Sequence, residues 1–250
     1  MKRREFLKGS VAGIAVTATG LWVAGHLGAS ASASDSSATA LKLTPPANGG
    51  NIPVAFAISE NVQVIDFTGP WEVFQDVMIK DGHADAGMDH HMPFDLYTVA
   101  ETMEPVTATG GLKILPNYTF ANAPTPKIVV VPAQEGSEAL HVWLKKMAAS
   151  ADTDLVTSVC TGAFQLAAAG LLSGKSATTH HQALKALKEK YPDIEVKSGL
   201  RFVENGKIAT AGGLTSGVDM ALHVVDRYYG RKVAQQTAEF MEYQSKGWIA

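Results

Sequence analysis

The chain has 250 residues, a formal net charge of −3 and one cysteine, and 46% of its residues are hydrophobic. No block of Lys and Arg is available to follow a phosphate backbone, which argues against nucleic acid as a partner, and a single cysteine excludes an internal disulfide. No period of solenoid length repeats, so the composition describes one ordinary domain with a substantial core.

The chain opens with Arg3-Arg4 and Phe6-Leu7-Lys8, followed by an uncharged, mildly apolar stretch from Gly9 to Ala33. Gly13, Gly20, Gly25 and His26 interrupt that stretch and make it a poor permanent anchor. This is the pattern of a twin-arginine export signal over residues 1–33, with A-x-A cleavage sites at Ala29–Ala31 and Ala31–Ala33. It predicts a periplasmic or otherwise exported protein that is free of the membrane once cleaved. Residues 34–50, rich in Ser, Thr, Ala, Pro and Gly, read as a disordered linker, and residues 51–250 as the folded domain.

Within that domain strands and helices alternate. Residues 52–58 read as a strand, and 69–78 as a helix entered through Gly69-Pro70. A strand follows at 94–100, then a hairpin across 106–120 around Gly110-Gly111, and a short apolar strand at 127–131 ending at Pro132. A helix is expected at 137–149, a strand at 155–159, and helices after Cys160 and at 181–190. A hairpin at 201–211 turns at Asn205-Gly206, and helices at 216–229 and 231–246 close the chain. Strands separated by helices predict an α/β fold, a mostly parallel sheet covered on both faces, with ligands beyond the carboxyl ends of the strands.

Cys160 stands at one such end. The run Leu155-Val156-Thr157-Ser158-Val159 is a buried strand by composition, and Thr161 to Gly170 is helix-like, so Cys160 occupies a strand-to-helix turn. The unpaired N–H groups and the positive dipole end of the helix would then favour its thiolate. The alternative for a lone cysteine is a small buried hydrophobe. Met88-Asp89-His90-His91-Met92, with His83 nearby, resembles a metal-binding patch. Adjacent histidines do not converge on one ion as an i, i+4 helical pair does, so no metal is assigned and a mobile polar loop is expected.

Several separated motifs, in order, carry a family resemblance: Val159-Cys160-Thr161-Gly162-Ala163-Phe164 with Ala169-Gly170-Leu171-Leu172-Ser173-Gly174; Ala177-Thr178-Thr179-His180; Asp66 with Gly69-Pro70 and Glu72-Val73-Phe74; and Thr210-Ala211-Gly212-Gly213 with Ser216-Gly217-Val218-Asp219. Together they resemble the ThiJ/PfpI superfamily of class I glutamine amidotransferase-like proteins, and within it the isonitrile hydratase branch and the ligand domains of certain transcription regulators. The resemblance implies a flavodoxin-like sandwich with Cys160 on a nucleophile elbow, no metal or organic cofactor, and a homodimer. It also implies an enzyme in which the Cys160 thiolate attacks a small electrophilic carbon, isonitrile or carbonyl, and Asp66, in the loop after the first strand, acts as general acid.

Thr161 matches the hydratase residue that follows the cysteine, where the protease-like branch carries His. Its N–H is a candidate oxyanion donor. Gly162, Ala133 and Gln134 are further substrate or oxyanion candidates, the last two in Pro132-Ala133-Gln134-Glu135-Gly136, where the family usually reads Pro-Gly-Gly. His180 matches a family position facing the pocket, and Asp219 is expected to bridge elements rather than react. The alternative function is a non-catalytic periplasmic small-ligand binder or thiol sensor of the same fold.

Overall fold

The computed structural model describes residues 42–47, 49–80 and 90–249. The proposed signal, most of the proposed linker, His83 and Asp89 lie outside the described residues. Seven strands form the main sheet among them: β1 (Ile52–Ala57), β2 (Phe94–Ala100), β3 (Tyr118–Thr119), β4 (Ile128–Val131), β5 (Leu155–Val159), β6 (Phe202–Asn205) and β7 (Ile208–Ala211). Their spatial order is β6-β7-β5-β4-β1-β2-β3. Every pairing is parallel except β6 with β7.

The helices are α1 (Val64–Gln75), α2 (Glu138–Ala149), α3 (Ala163–Ala168), α4 (Leu184–Lys190), α5 (Ser216–Tyr229) and α6 (Arg231–Phe240). Side chains that alternate along each central strand build two cores. Val54, Phe56 and Val130 face α1, α5 and α6, while Ala55, Ala57, Val129 and Val131 face α2, α3 and α4. Because both faces are covered, the central strands are almost wholly buried and mostly apolar, with Thr157 and Ser158 the polar positions of β5. This is the parallel sheet covered on both faces that the alternation predicts, and the flavodoxin-like α/β sandwich that the resemblance implies. No helix among the described residues is long and apolar enough to cross a membrane.

The local departures have physical causes. Helix α1 begins at Val64, five residues before Gly69, and carries Pro70 inside it rather than at its start. A proline there removes only one bond, the one its N–H would give to the carbonyl of Asp66. Burial of Phe67, Val73 and Phe74 on one face holds the helix together through the gap. Asp66 therefore lies in the first turn of a helix, not in a loop.

The expected hairpin at 106–120 is split. Val106–Thr107 pairs with Lys113–Ile114, and Tyr118–Thr119 joins the main sheet beside β2. Cys160–Gly162 forms a 3-10 turn ahead of the six-residue α3, and His181–Ala183 another ahead of α4. Helix α6 ends at Phe240, after which the chain folds back and buries Trp248. His90–His91 form a two-residue strand with Ile79–Lys80.

Candidate active site

Strands β1, β4 and β5 are neighbours, and the site lies where their carboxyl ends meet. Cys160 follows β5 directly with φ 58°, a left-handed conformation that a side chain adopts at roughly 1–2 kcal/mol. The turn is braced from three sides. The Cys160 N–H donates to the Gly212 carbonyl at 2.7 Å, the Thr179 hydroxyl donates to the Cys160 carbonyl at 2.8 Å, and the Ala163 N–H donates to the same carbonyl. Gly162 makes a close contact: a Cβ there would stand 2.1 Å from the Val131 carbonyl oxygen and 2.8 Å from that of Pro132. The elbow and the loop after β4 are thus pressed together backbone to backbone.

That loop holds Asp66. The Ala133 N–H donates to Asp66 Oδ2 at 3.2 Å, and the Ala133 carbonyl accepts from the N–H of Gln63, the residue that precedes α1, at 2.8 Å. Asp66 is fully buried, and its Oδ1 has no fixed hydrogen-bond donor. The Cys160 thiol is the titratable group that faces the carboxyl. Burial lifts the carboxyl to about 6, against the opposing pull of the Ala133 N–H and of the thiol itself.

The thiol is pushed up to about 11, first by burial, at 8% exposure, and then by the charge on Asp66. The N–H groups of Thr161 and Leu214 and the Thr161 hydroxyl act the other way. This corrects the expectation of a thiolate favoured by a helix end. The backbone donors are present, but desolvation and a neighbouring carboxylate outweigh them. Cys160 and Asp66 titrate as one pair, the carboxyl losing its proton first and the thiol only at higher pH. At neutral pH they share one proton, held mainly by sulfur, and one negative charge, held mainly by the carboxyl.

An experiment on the native protein follows directly. Iodoacetamide should modify Cys160 roughly 10²-fold more slowly than a free cysteine at pH 7, with a rate still rising about tenfold per pH unit at pH 9. A rate that levels off by pH 8 would mean that sulfur, not the carboxyl, holds the charge.

The remaining sequence candidates fall around this pair. Thr161 presents both its N–H and its hydroxyl to the sulfur. The N–H of Ala133 is taken by Asp66, so it does not face outward as an oxyanion donor. Gln134 turns inward and donates from Nε2 to the Ala57 carbonyl at 2.9 Å. His180 is half-buried, with its ring packed on Gly213 and its Nδ1 accepting from the Gln182 N–H at 3.3 Å. It lines a groove of about 340 Å³ together with Thr179, His181, Leu200, Leu214 and Thr215. Asp219 is buried and bridges elements, accepting from Arg201 Nε at 2.5 Å and Ser245 Oγ at 2.9 Å.

Leu214, with φ 50°, and Gln165 also belong to this surrounding, and the sequence does not single out either. Gly212-Gly213 signals a turn at 212–215, but nothing in the residues says that its N–H reaches Cys160. Gln165 is a lone polar residue in an Ala- and Leu-rich helix, and that was the available sign.

The pattern of the DJ-1/PfpI family matches residues 53–227. The chain is 33% identical to an isonitrile hydratase from Pseudomonas putida over 201 residues, covering 77% of this chain and 78% of that one. It is 26% identical to the HTH-type transcriptional regulator GbdR of Pseudomonas aeruginosa over 204 residues, which are 80% of this chain and 53% of the regulator. Among solved structures, a ThiJ/PfpI family protein from Pseudomonas syringae superposes with a TM-score of 0.65 at 27% identity, covering 79% of this chain and 77% of that one.

Proposed function

The chain belongs to the DJ-1/PfpI family, and from that premise we propose that it is a cysteine-dependent enzyme that adds water to a small electrophilic carbon, with an isonitrile as the leading substrate class. The observation that carries the reading is the Cys160–Asp66 pair: a nucleophile on a braced elbow facing a buried carboxyl with one oxygen pinned and the other free. With the proton on sulfur at rest, Asp66 acts first as base and then as acid. Sulfur attacks the terminal isonitrile carbon while its proton passes to Oδ1, and the same proton is then delivered to that carbon, leaving a thioimidate. Water adds to the thioimidate carbon. One proton of that water goes to the imine nitrogen; the C–S bond then breaks as the adduct's hydroxyl proton passes through Asp66 to sulfur, and an N-substituted formamide departs with the first proton still on its carbon. The N–H groups of Thr161 and Leu214 stabilise negative charge on sulfur as it forms and as it leaves.

A second reading has its own support. The thiol is buried and un-ionised at neutral pH, Ala133 and Gln134 replace the family glycines, and regulators share the fold, all of which suits a small-ligand binder or thiol sensor. Incubation with a panel of isonitriles and reactive carbonyls, followed by product analysis and intact-mass measurement, separates the two. Catalytic formation of formamide, lost in Cys160→Ser, is the expected result. Binding or stoichiometric oxidation of Cys160 without turnover would overturn the enzyme reading.

A further inference from the structure

Gln165 lies five residues beyond Cys160, in α3, and is 9% exposed. Its Nε2 donates to the carbonyls of Gln134 at 3.1 Å and Glu135 at 3.2 Å, and its Oε1 lies 2.9 Å from His141 Nε2. Two carbonyls can be met only by the NH₂ end of the amide, so Oε1 faces His141 and His141 must carry its proton on Nε2. Gly136, at φ 76°, admits this arrangement: a Cβ there would come within 2.1 Å of Gln165 Oε1. The Gly136 N–H is held in turn by Ser59 Oγ at 3.0 Å. Both hydrogens of one amide thus fasten the segment whose first member, Ala133, holds Asp66.

We propose that Gln165 is a positioning residue: by clamping residues 134 and 135 it keeps the Ala133 N–H on Asp66 Oδ2 and so reserves Oδ1 for the proton exchanged with Cys160. The proposal rests on the reading of Asp66 as the proton carrier. The titratable groups packed around the network are Cys160, facing Asp66; His141, with Glu138 3.7 Å from its Nδ1; and Glu135, bound by Asn61. The N–H of Ala133 favours the ionised form of Asp66 and holds its carboxyl down, and losing it raises the carboxyl further.

The test reads Asp66 directly in substrate-free protein. With aspartate-selective ¹³C labelling and the Asp66 signal assigned by its loss in Asp66→Asn, the wild-type carboxyl should titrate near 6. Gln165→Glu keeps the shape of the side chain but loses both donors, and it should move that titration up by about one pH unit. Gly136→Ala displaces the amide from the other side and should produce a similar shift, with no further movement in the double variant. For the hydratase reaction, kcat should fall about tenfold with KM held. A titration fixed at its wild-type position in folded variants that merely melt earlier would overturn the proposal and leave Gln165 as packing. If the wild type turns over no substrate while the titration still shifts, the positioning role stands and the hydratase reading falls.

Discussion

Asp66→Asn should lower turnover by about 10² to 10⁴, the range for loss of a general acid–base, while making Cys160 easier to alkylate and the protein harder to unfold at neutral pH. The three effects share one cause. The variant removes the proton carrier, so chemistry fails. It also removes the negative charge that helps push the thiol to about 11, so alkylation at pH 8 should accelerate. In the wild type the carboxyl ionises near 6 when folded, against about 3.9 when unfolded. Its contribution to stability is therefore fully present below pH 4 and is lost as pH rises through 6. At most about 3 kcal/mol is involved, and about 1–3 kcal/mol is the expected gain at pH 7 once the amide is less than ideally bonded. Denaturant titrations from pH 4 to pH 8 should find the two proteins close at the acid end and diverging upward. An Asn variant that is less stable at pH 7, or alkylated more slowly, would mean that Asp66 is not a buried charge beside the thiol.

Gly162→Ala should be the most damaging Gly→Ala change among the described residues. Its helical backbone would ordinarily gain from Ala by up to about 1 kcal/mol. The added Cβ, however, would sit 2.1 Å from the Val131 carbonyl oxygen, and backbone on both sides leaves no flexible side chain to give way. Either the elbow or the Ala133 loop must move. We expect roughly 3 kcal/mol or more of lost stability, with the Cys160–Asp66 pairing broken in whatever remains folded. Thermal melts together with the Cys160 alkylation profile check both parts. A variant as stable as wild type would show that the two backbones are not in contact.

Much of this arrangement is legible in the residues. β-branched runs alternating with Ala- and Leu-rich ones predict the parallel sandwich, and a cysteine between Val159 and Thr161 predicts the elbow. The family resemblance points to Asp66 as the partner acid, whereas the burial that lifts its carboxyl to about 6 is visible only in the fold. The start of α1 was hidden because Gly69-Pro70 is a strong local start signal, overruled by the core that Phe67, Val73 and Phe74 share. The state of the thiol was hidden for a deeper reason. Helix-end donors can be read from sequence position, whereas desolvation depends on what all the other elements cover. Gln165 belongs to the same class, since its partners lie 24 to 31 residues away on other segments.

The left-handed backbone at Cys160 has a consequence for how such a protein would change under selection. Glycine occupies that conformation without strain, and a side chain does not. Laboratory evolution toward heat resistance alone, with no demand for chemistry, would therefore drift toward glycine at Cys160, as at the other side chains on left-handed backbone, Leu214 among them. Lineages recovered from such a regime would lose the sulfur before they lost the fold. Persistence of cysteine on a backbone that penalises it would itself be a record of use.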